Sequence, residues 1–473
     1  MKSYLRSSFI LIIAVSMSLA AAEKEKRPMK PLDVLHLRSI SSTEISPDGQ
    51  WLIFALSELN WEKGKRYSDI YVSSIASGEQ RRMTYTNEAS EENPAWARDS
   101  LHFAFLSDRA DGKTKQLYLM RREAGEARQV KGHSGPVQEF AFSRDGRWLA
   151  YRASKKNEEQ LWLVSLDNWE NDATQLTKHS TPVHSWAWTE ASDRIYFTAP
   201  ERVDKDDQKR KEKNFDVDIR NPEKIADHLW SIDLATKEEK RWTEGEFTIT
   251  DVVISGDARW VALRTRSLDR FAGWTDREIY LLNVASGRVE RLTNNQEVEG
   301  PPVFSPDNRW LAFSAPEEFA TLRRERVYLR AIEGGQWRVL PSDWAYDAGI
   351  GPGAWSADSK TLYFAAGVGV NAHLFALTVP DGRMRQITHE PGVVQGRFDR
   401  DSGLFLLRYT DPTQPVDLYV IEPTRLADRT AWKKVSDANP QVAEFALGSY
   451  ETIRWQSTDG KEVEGLLVKP VRY

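Results

Sequence analysis

One pattern of apolar strands and turns recurs eight times along this chain. Each unit opens on a short apolar strand and a tight turn of the Ser-Pro-Asp-Gly type. A second apolar strand follows, then a loop, then a strand that begins with an aliphatic residue and an aromatic one. The aliphatic–aromatic pairs are Ile70-Tyr71, Leu117-Tyr118, Leu161-Trp162, Leu229-Trp230, Ile279-Tyr280, Val327-Tyr328, Leu374-Phe375 and Leu418-Tyr419. The turns fall at Asp48-Gly49, Asp99-Ser100, Asp145-Gly146, Asp193, Asp257, Asp307-Asn308, Asp358-Ser359 and Asp401. The two series alternate strictly, at a spacing of about 50 residues, which is the period of propeller blades.

Asp-Gly between apolar strands signals a hairpin, because Gly accepts positive φ and the Asp side chain bonds the backbone that follows. In unit three the parse gives strands at 137–142, 148–151, 160–166 and 174–177 around a turn at 143–146. The same four-strand parse is expected in all eight units, from 43–85 in the first to 393–435 in the last. A flat β-solenoid is excluded, since its coils run to about 20–30 residues. Four antiparallel strands arranged radially leave only short, protected edges. The expected fold is all-β: an eight-bladed propeller of four-stranded blades, with seven blades as the alternative count.

The first-to-second turns are tight, whereas the second-to-third loops read as long and unequal. All of the latter emerge on one face of a propeller. Variable loops on a rigid scaffold are where binding residues concentrate, so that face is the functional candidate.

The 18 Trp, 15 Tyr and 18 Phe suit many short strands. The net charge of −5 gives no basic excess, which argues against a nucleic-acid partner. Residues 1–22 read as a signal peptide: Lys2 and Arg6, an apolar run over 9–19, then Ala20-Ala21-Ala22 before a charged stretch. Cleavage is expected after Ala22. The run is short for a membrane anchor, which needs about 20 apolar residues, so the expectation is a secreted or periplasmic chain with no membrane attachment after cleavage. The sequence has no Cys, and hence neither disulfides nor a thiol nucleophile. Residues 23–42 read as a charged lead-in with a helical turn or two, 43–437 as the propeller and 438–449 as a linker. Residues 450–473 read as a fresh hairpin around Ser457-Thr458-Asp459-Gly460.

That hairpin, with Thr458-Asp459-Gly460-Lys461 and then Val463-Glu464-Gly465-Leu466-Leu467-Val468-Lys469-Pro470, is similar to the entry into the α/β-hydrolase domain of prolyl oligopeptidase family serine peptidases. Leu32-Asp33-Val34-Leu35, Ile45-Ser46-Pro47-Asp48-Gly49, Asn93-Pro94-Ala95-Trp96 and the Asp204-Lys205-Asp206-Asp207 insertion resemble its acylaminoacyl-peptidase and dipeptidyl-peptidase-5 branch. The resemblance covers the chain after the leader. It implies a propeller that filters peptide substrates by size for a hydrolase domain, without cofactor or metal. It also implies that the chain is cut short at the start of that domain. The family's catalytic Ser, Asp and His have no positions to map onto here. The sequence contains no Gly-x-Ser-x-Gly elbow, so no catalytic residue is assigned and the chain alone is expected to be inactive.

Dipeptidyl peptidases of this family hold the substrate's ammonium with propeller carboxylates. Glu317 and Glu318 are therefore the candidate substrate-binding residues, with pairing to Arg323, Arg324 or Arg326 as the plainer reading. The eight His residues lack metal-ligand spacing, and His133 and His179 occupy equivalent positions before a first strand. Asp204, Asp206 and Asp207 sit among lysines, which opposes calcium. Gly349, Gly351 and Gly353 lack the strand-to-helix context of a phosphate loop. The turn aspartates are expected to bond the backbone, and the third-strand aromatics to pack between blades. The rival readings are a non-catalytic TolB-like periplasmic propeller that binds protein or peptide, and a small-molecule enzyme of lactonase type. The hairpin after the linker speaks against the first. No convergent set of carboxylates and histidines speaks for the second.

Overall fold

The structure, a computed structural model, describes residues 26–471 except 87, 124, 156–157, 203–208, 211–212, 214–224, 269–275, 296 and 320–322. The leader and Asp204, Asp206 and Asp207 lie outside the described residues.

The described residues form a β-propeller. Units 1 to 6 are separate four-stranded antiparallel sheets with their strands in chain order. Unit 3 is representative, with strands Val137–Phe142, Trp148–Lys155, Glu158–Ser165 and Thr174–Gln175. Units 7 and 8 are joined in one seven-stranded sheet by a single parallel pairing, Ala372 with Val393.

Second strands read as unbroken apolar runs because they are covered on both faces. In unit 1, Leu52, Ile53, Phe54 and Ala55 are all fully buried. One face of each sheet packs on the preceding unit and the other on the next. Ile53 and Ile70 of unit 1 meet Trp96 and Phe103 of unit 2. The series continues seam by seam until Leu406, Leu418 and Val420 of unit 8 meet Ile45, Leu52 and Phe54 of unit 1, closing the ring.

The third-strand aromatics pack as expected. Each stands directly opposite a second-strand residue, and five of these opposed pairs stack ring on ring. Phe313 and Tyr328 are nearly parallel at 5.3 Å, and Phe54–Tyr71 and Phe105–Tyr118 each stack at 5.7 Å. Cross-strand aromatic pairs of this kind add to sheet stability beyond their buried area.

A second repeated device was not read from the sequence. The residue before each aliphatic–aromatic pair is polar and, in most units, buried: Asp69, Gln160, His228, Glu278, Arg326, His373 and Asp417. In six units the N–H that follows donates to a hydroxyl just past the fourth strand. The acceptors are Thr84, Thr177, Thr243, Thr293, Thr388 and Ser436, at 2.7–2.9 Å. In units 1, 3 and 8 the hydroxyl itself then donates to the buried polar side chain: Thr84 to Asp69 Oδ1 at 3.2 Å, Thr177 to Gln160 Oε1 at 2.7 Å and Ser436 to Asp417 Oδ1 at 2.7 Å. Both groups would otherwise be buried without partners.

Four expectations are corrected. Second-to-third connections are not uniformly long: unit 7 uses only Gly369 and Val370, and unit 8 only residues 412 and 413. Polar residues beyond the apolar runs keep to the ladder, so the strands extend further than hydrophobicity suggests. Unit 7 lacks a full first strand and keeps one bridge, Trp355 with Leu362; Gly and Pro at 349, 351, 352 and 353 weaken pairing there. The first strand begins at Ser39, inside the expected lead-in, which otherwise carries the short helix Pro31–Leu35. Asp401 does not bond its own turn. Asp399 fills that role, accepting from Ser402 N at 2.9 Å, while Asp401 forms ion pairs described below.

Among the described residues no strand is exchanged between the sheets of unit 1 and unit 8. A side-chain clip joins them instead: Asn439 Oδ1 accepts from Arg38 N at 2.7 Å and Asn439 Nδ2 donates to Arg38 O at 2.9 Å. Arg27–Pro28 adds a two-residue parallel pairing with Phe445–Ala446. After the ring comes the expected hairpin, Ser449–Gln456 with Glu462–Lys469. It approaches the face of the second-to-third loops, where Glu464 Oε1 accepts from Val370 N at 3.1 Å.

Candidate functional site in the propeller channel

First strands line the axis of the ring. In units 1, 2, 3 and 5 the pairing of first and second strands slips at a bulge. A bulge bends its strand and redirects its side chains. Ser42 and Asn93 take left-handed backbone at two of them, and Ser42 Oγ bonds Asn93 Oδ1 at 2.9 Å. The residue after the bulge is acidic in units 3 and 5, and each faces an arginine across the strands. Glu139 pairs with Arg152 at 3.1 Å and Asp251 with Arg264 at 2.6 Å.

Two cavities adjoin these strands. One of about 400 Å³ is bordered by Thr43, Glu44, Asn93, Glu139, Arg397 and Asp399. Burial pushes the Glu44 carboxyl up to about 7, against the bond it accepts from Trp96 N at 3.0 Å and the nearby Arg397. The other, of about 560 Å³, is largely apolar, with Trp188, Val252, Pro302, Phe304, Trp355 and Phe398 in its wall.

Ion pairs run across the axis at the end that carries the first-to-second turns. Asp401 of unit 8 pairs with Arg98 of unit 2 and Arg144 of unit 3. Arg144 also meets Glu190 of unit 4 at 3.0 Å, and Arg400 of unit 8 lies 3.8 Å from Glu190. Burial alone would raise Asp401, but the two arginines outweigh it and hold its carboxyl low. Apart from the Arg144–Glu190 pair, these contacts join units that are not neighbours in the ring.

Glu317 and Glu318 follow the second strand Trp310–Pro316 of unit 6 in a 3₁₀ turn. The structure separates their environments. Glu317 Oε2 accepts from Arg326 at 3.4 Å, and the buried Arg326 also donates to Trp344 O at 2.9 Å and Tyr346 O at 3.0 Å. Glu318 is exposed in left-handed backbone, φ 58°. Of the three arginines considered from sequence, Arg326 is the one whose side chain meets Glu317.

The histidines are structural in their contacts. His133 packs edge-on to Tyr151 and Trp162, and His179 does the same to Phe197 and Trp230, so the two are equivalent. Among the described residues no group of three or more His, Asp or Glu side chains is placed to hold a metal. Gly353 serves a close approach: a Cβ there would stand 3.0 Å from Phe398 O of the next unit.

Sequence reading missed the carboxylates buried at two seams. At seam 1–2, Glu91 is fully buried and takes bonds from Thr84, Thr86, Ser107 and Arg109. At seam 5–6, Glu299 is equally buried, yet its bonds are fewer: Asn295 Nδ2 donates to it at 2.7 Å, and Asn295 N donates to Glu278 at 2.6 Å. Aligning the second strands puts Glu317 where unit 2 has Arg109. Burial, reinforced by Glu278, pushes Glu299 up to about 7 from an ordinary 4.5. A carboxyl raised on folding stabilises fully below its unfolded value and loses that contribution as pH climbs through its folded value. Between about pH 4.5 and 7, the native chain is therefore expected to lose stability relative to Glu299→Gln, by up to about 1.4 kcal/mol per pH unit. Urea midpoints of both proteins at pH 5 and pH 7.5 check this; parallel shifts would contradict it.

No family model matches the chain. It is 22% identical over 481 residues to dipeptidyl-peptidase 5 of Porphyromonas gingivalis, an alignment covering 97% of this chain and 63% of the relative. Dipeptidyl-peptidase 5 of Porphyromonas endodontalis is 23% identical, with 97% and 64% covered. The chain thus spans less than two thirds of the length of these relatives. Among solved structures, dipeptidyl peptidase 4 of P. gingivalis superposes with a TM-score of 0.63 at 14% identity, covering 95% of this chain and 68% of that one. The acylaminoacyl peptidase of Pyrococcus horikoshii gives 0.55 at 15%, covering 94% and 60%. The chain is similar over nearly its whole length to dipeptidyl-peptidase 5, and its fold is a β-propeller like that within these solved peptidases.

Proposed function

We propose that this chain is the substrate-gating propeller of an exported serine peptidase that acts on short peptides, and that it has no peptidase activity by itself. The observation that carries this reading is the alignment of nearly the whole chain with about two thirds of dipeptidyl-peptidase 5. The hairpin after the ring, lying against the second-to-third loop face at Val370, supports a hydrolase domain on that face. Glu317 and Glu318 stand on the same face and receive the substrate's free ammonium by charge-assisted hydrogen bonds, with Arg326 fixing the orientation of Glu317. Export rests on the leader. Protein recovered from outside the cytoplasm should begin at Glu23, and a retained Met1 would refute cleavage.

The purified chain should not hydrolyse dipeptidyl chromogenic peptides; turnover blocked by a fluorophosphonate would overturn the reading. Joined after Tyr473 to a hydrolase domain of the dipeptidyl-peptidase 5 type, it should confine cleavage to short peptides. A chimera that cuts denatured proteins equally well would overturn gating. In that chimera, Glu317→Gln with Glu318→Gln should lower kcat/KM about 10–100-fold for substrates with a free amino terminus. N-acetylated analogues should change little. Equal losses on both would assign the pair to folding.

A further inference from the structure

The apolar cavity of about 560 Å³ beside the axis has a size typical of small-ligand sites. Its wall of Trp188, Val252, Pro302, Phe304, Trp355 and Phe398 would take one or two apolar side chains. The carboxylates that border it are already engaged: Asp251 by Arg264 at 2.6 Å and Glu190 by Arg144 at 3.0 Å. Arg400 borders the same space, is half exposed, and has its nearest recorded carboxylate, Glu190, at 3.8 Å, beyond hydrogen-bond reach. The charge at this end of the cavity is therefore a guanidinium with capacity for an anion.

The cavity runs beside residues 250–256, at the inner strand Phe247–Ile254 of unit 5. That strand pairs on one side only, with Trp260–Ser267. Its free edge offers backbone donors and acceptors to an extended chain, the means by which sheet edges capture peptides. A fatty acid would satisfy Arg400 and the apolar wall but leave the strand edge without partners. A peptide satisfies all of them.

We propose that this cavity binds the carboxyl-terminal end of short apolar peptides, with the terminal carboxylate on Arg400 and the peptide backbone along the inner edge of unit 5. The proposal rests on the reading of the chain as a peptide-handling propeller and adds a second, non-catalytic site that selects the opposite end of the peptide from Glu317 and Glu318. Product peptides, which all carry a free carboxylate, would occupy it.

The test is calorimetric titration of the purified chain with acetyl-Ala-Leu-Phe as the free acid, as its carboxamide, and with decanoate. The free acid should bind at least 10-fold more tightly than the carboxamide, and decanoate weakly. Arg400→Gln should abolish the preference for the acid, and Arg400→Lys should restore part of it. Val252→Trp, which fills the cavity, should abolish binding while leaving Arg400 in place; unchanged thermal midpoints would show that each variant is folded. Equal affinity for acid and carboxamide, unchanged binding by Arg400→Gln, tighter binding of decanoate than of the peptide, or no binding of the free acid at millimolar concentration would each overturn the proposal. Loss of this site with intact length selection in the chimera would strike the cavity alone and leave the gating function standing.

Discussion

Glu91→Ala is expected to destabilise the chain by about 3–5 kcal/mol, the cost of removing one partner from a buried ion pair. Glu91 is fully buried at the seam between units 1 and 2. Its oxygens accept from Thr86 at 2.7 Å, Ser107 at 2.9 Å, Arg109 at 3.0 Å and Thr84 at 3.1 Å. Alanine leaves three hydroxyls and a guanidinium facing an empty, dry space. Arg109 would keep its stacking over Phe105 and Tyr118, with ring centroids at 5.2 and 4.8 Å, so it cannot simply swing out to water. Glu91→Gln keeps one acceptor oxygen and should cost less than the alanine change. Glu290→Ala removes a carboxylate from the exposed side of the ring, 3.4 Å from Arg330, and should stay within about 0.5 kcal/mol. Urea unfolding of the three variants checks the order. A Glu91→Ala midpoint close to the parent would show that water replaces the carboxylate.

Phe313→Ala should have an effect of similar size, about 3–5 kcal/mol, through lost transfer energy and the cavity left behind. Phe313 is fully buried at the seam between units 5 and 6. It stacks on Tyr328 at 5.3 Å and meets the edge of Trp337 at 4.9 Å. The neighbours belong to two sheets whose backbones are fixed by their own ladders, so collapse into the void is limited. Phe313→Leu keeps most of the volume and should cost clearly less. The fluorescence of Trp337 should shift in the alanine variant before global unfolding. An alanine variant as stable as the leucine one would mean that the seam closes over the gap.

The units themselves were legible because each repeats the same local chemistry: a turn with its Asp, an apolar run, an aliphatic–aromatic pair. All of these act within a few residues. What escaped notice acts between units. Glu91 is explained by Ser107 and Arg109 on its own sheet and by Thr84 on the previous one, and nothing in the sequence near residue 91 announces a buried acid. Asp401 looked like its seven counterparts, yet its partners Arg98 and Arg144 lie more than 250 residues earlier and across the axis. The loops were misjudged because strand ends that face solvent carry polar residues, and apolar patterning stops before the ladder does. Arg326 as the partner of Glu317 was available from sequence because Glu317 directly follows one strand of a hairpin and Arg326 lies at the start of the next.

Seven of the eight joints in the ring are spanned by the polypeptide itself, so neighbouring units there can never drift far apart. The joint between units 8 and 1 has no such tether; it is held by the Asn439 clip, by side-chain bonds from Arg397, Arg408 and Lys433 to the backbone of unit 1, by a two-residue pairing and by an apolar seam. The molecule is in this sense a split washer. Spreading it parts one two-residue backbone pairing and leaves the sheet of every unit whole. The bonds from Asp401 to Arg98 and Arg144 reach past unit 1 and bridge the gap from the inside. Added salt weakens ion pairs far more than apolar contacts, so ionic strength adjusts how readily the washer springs open.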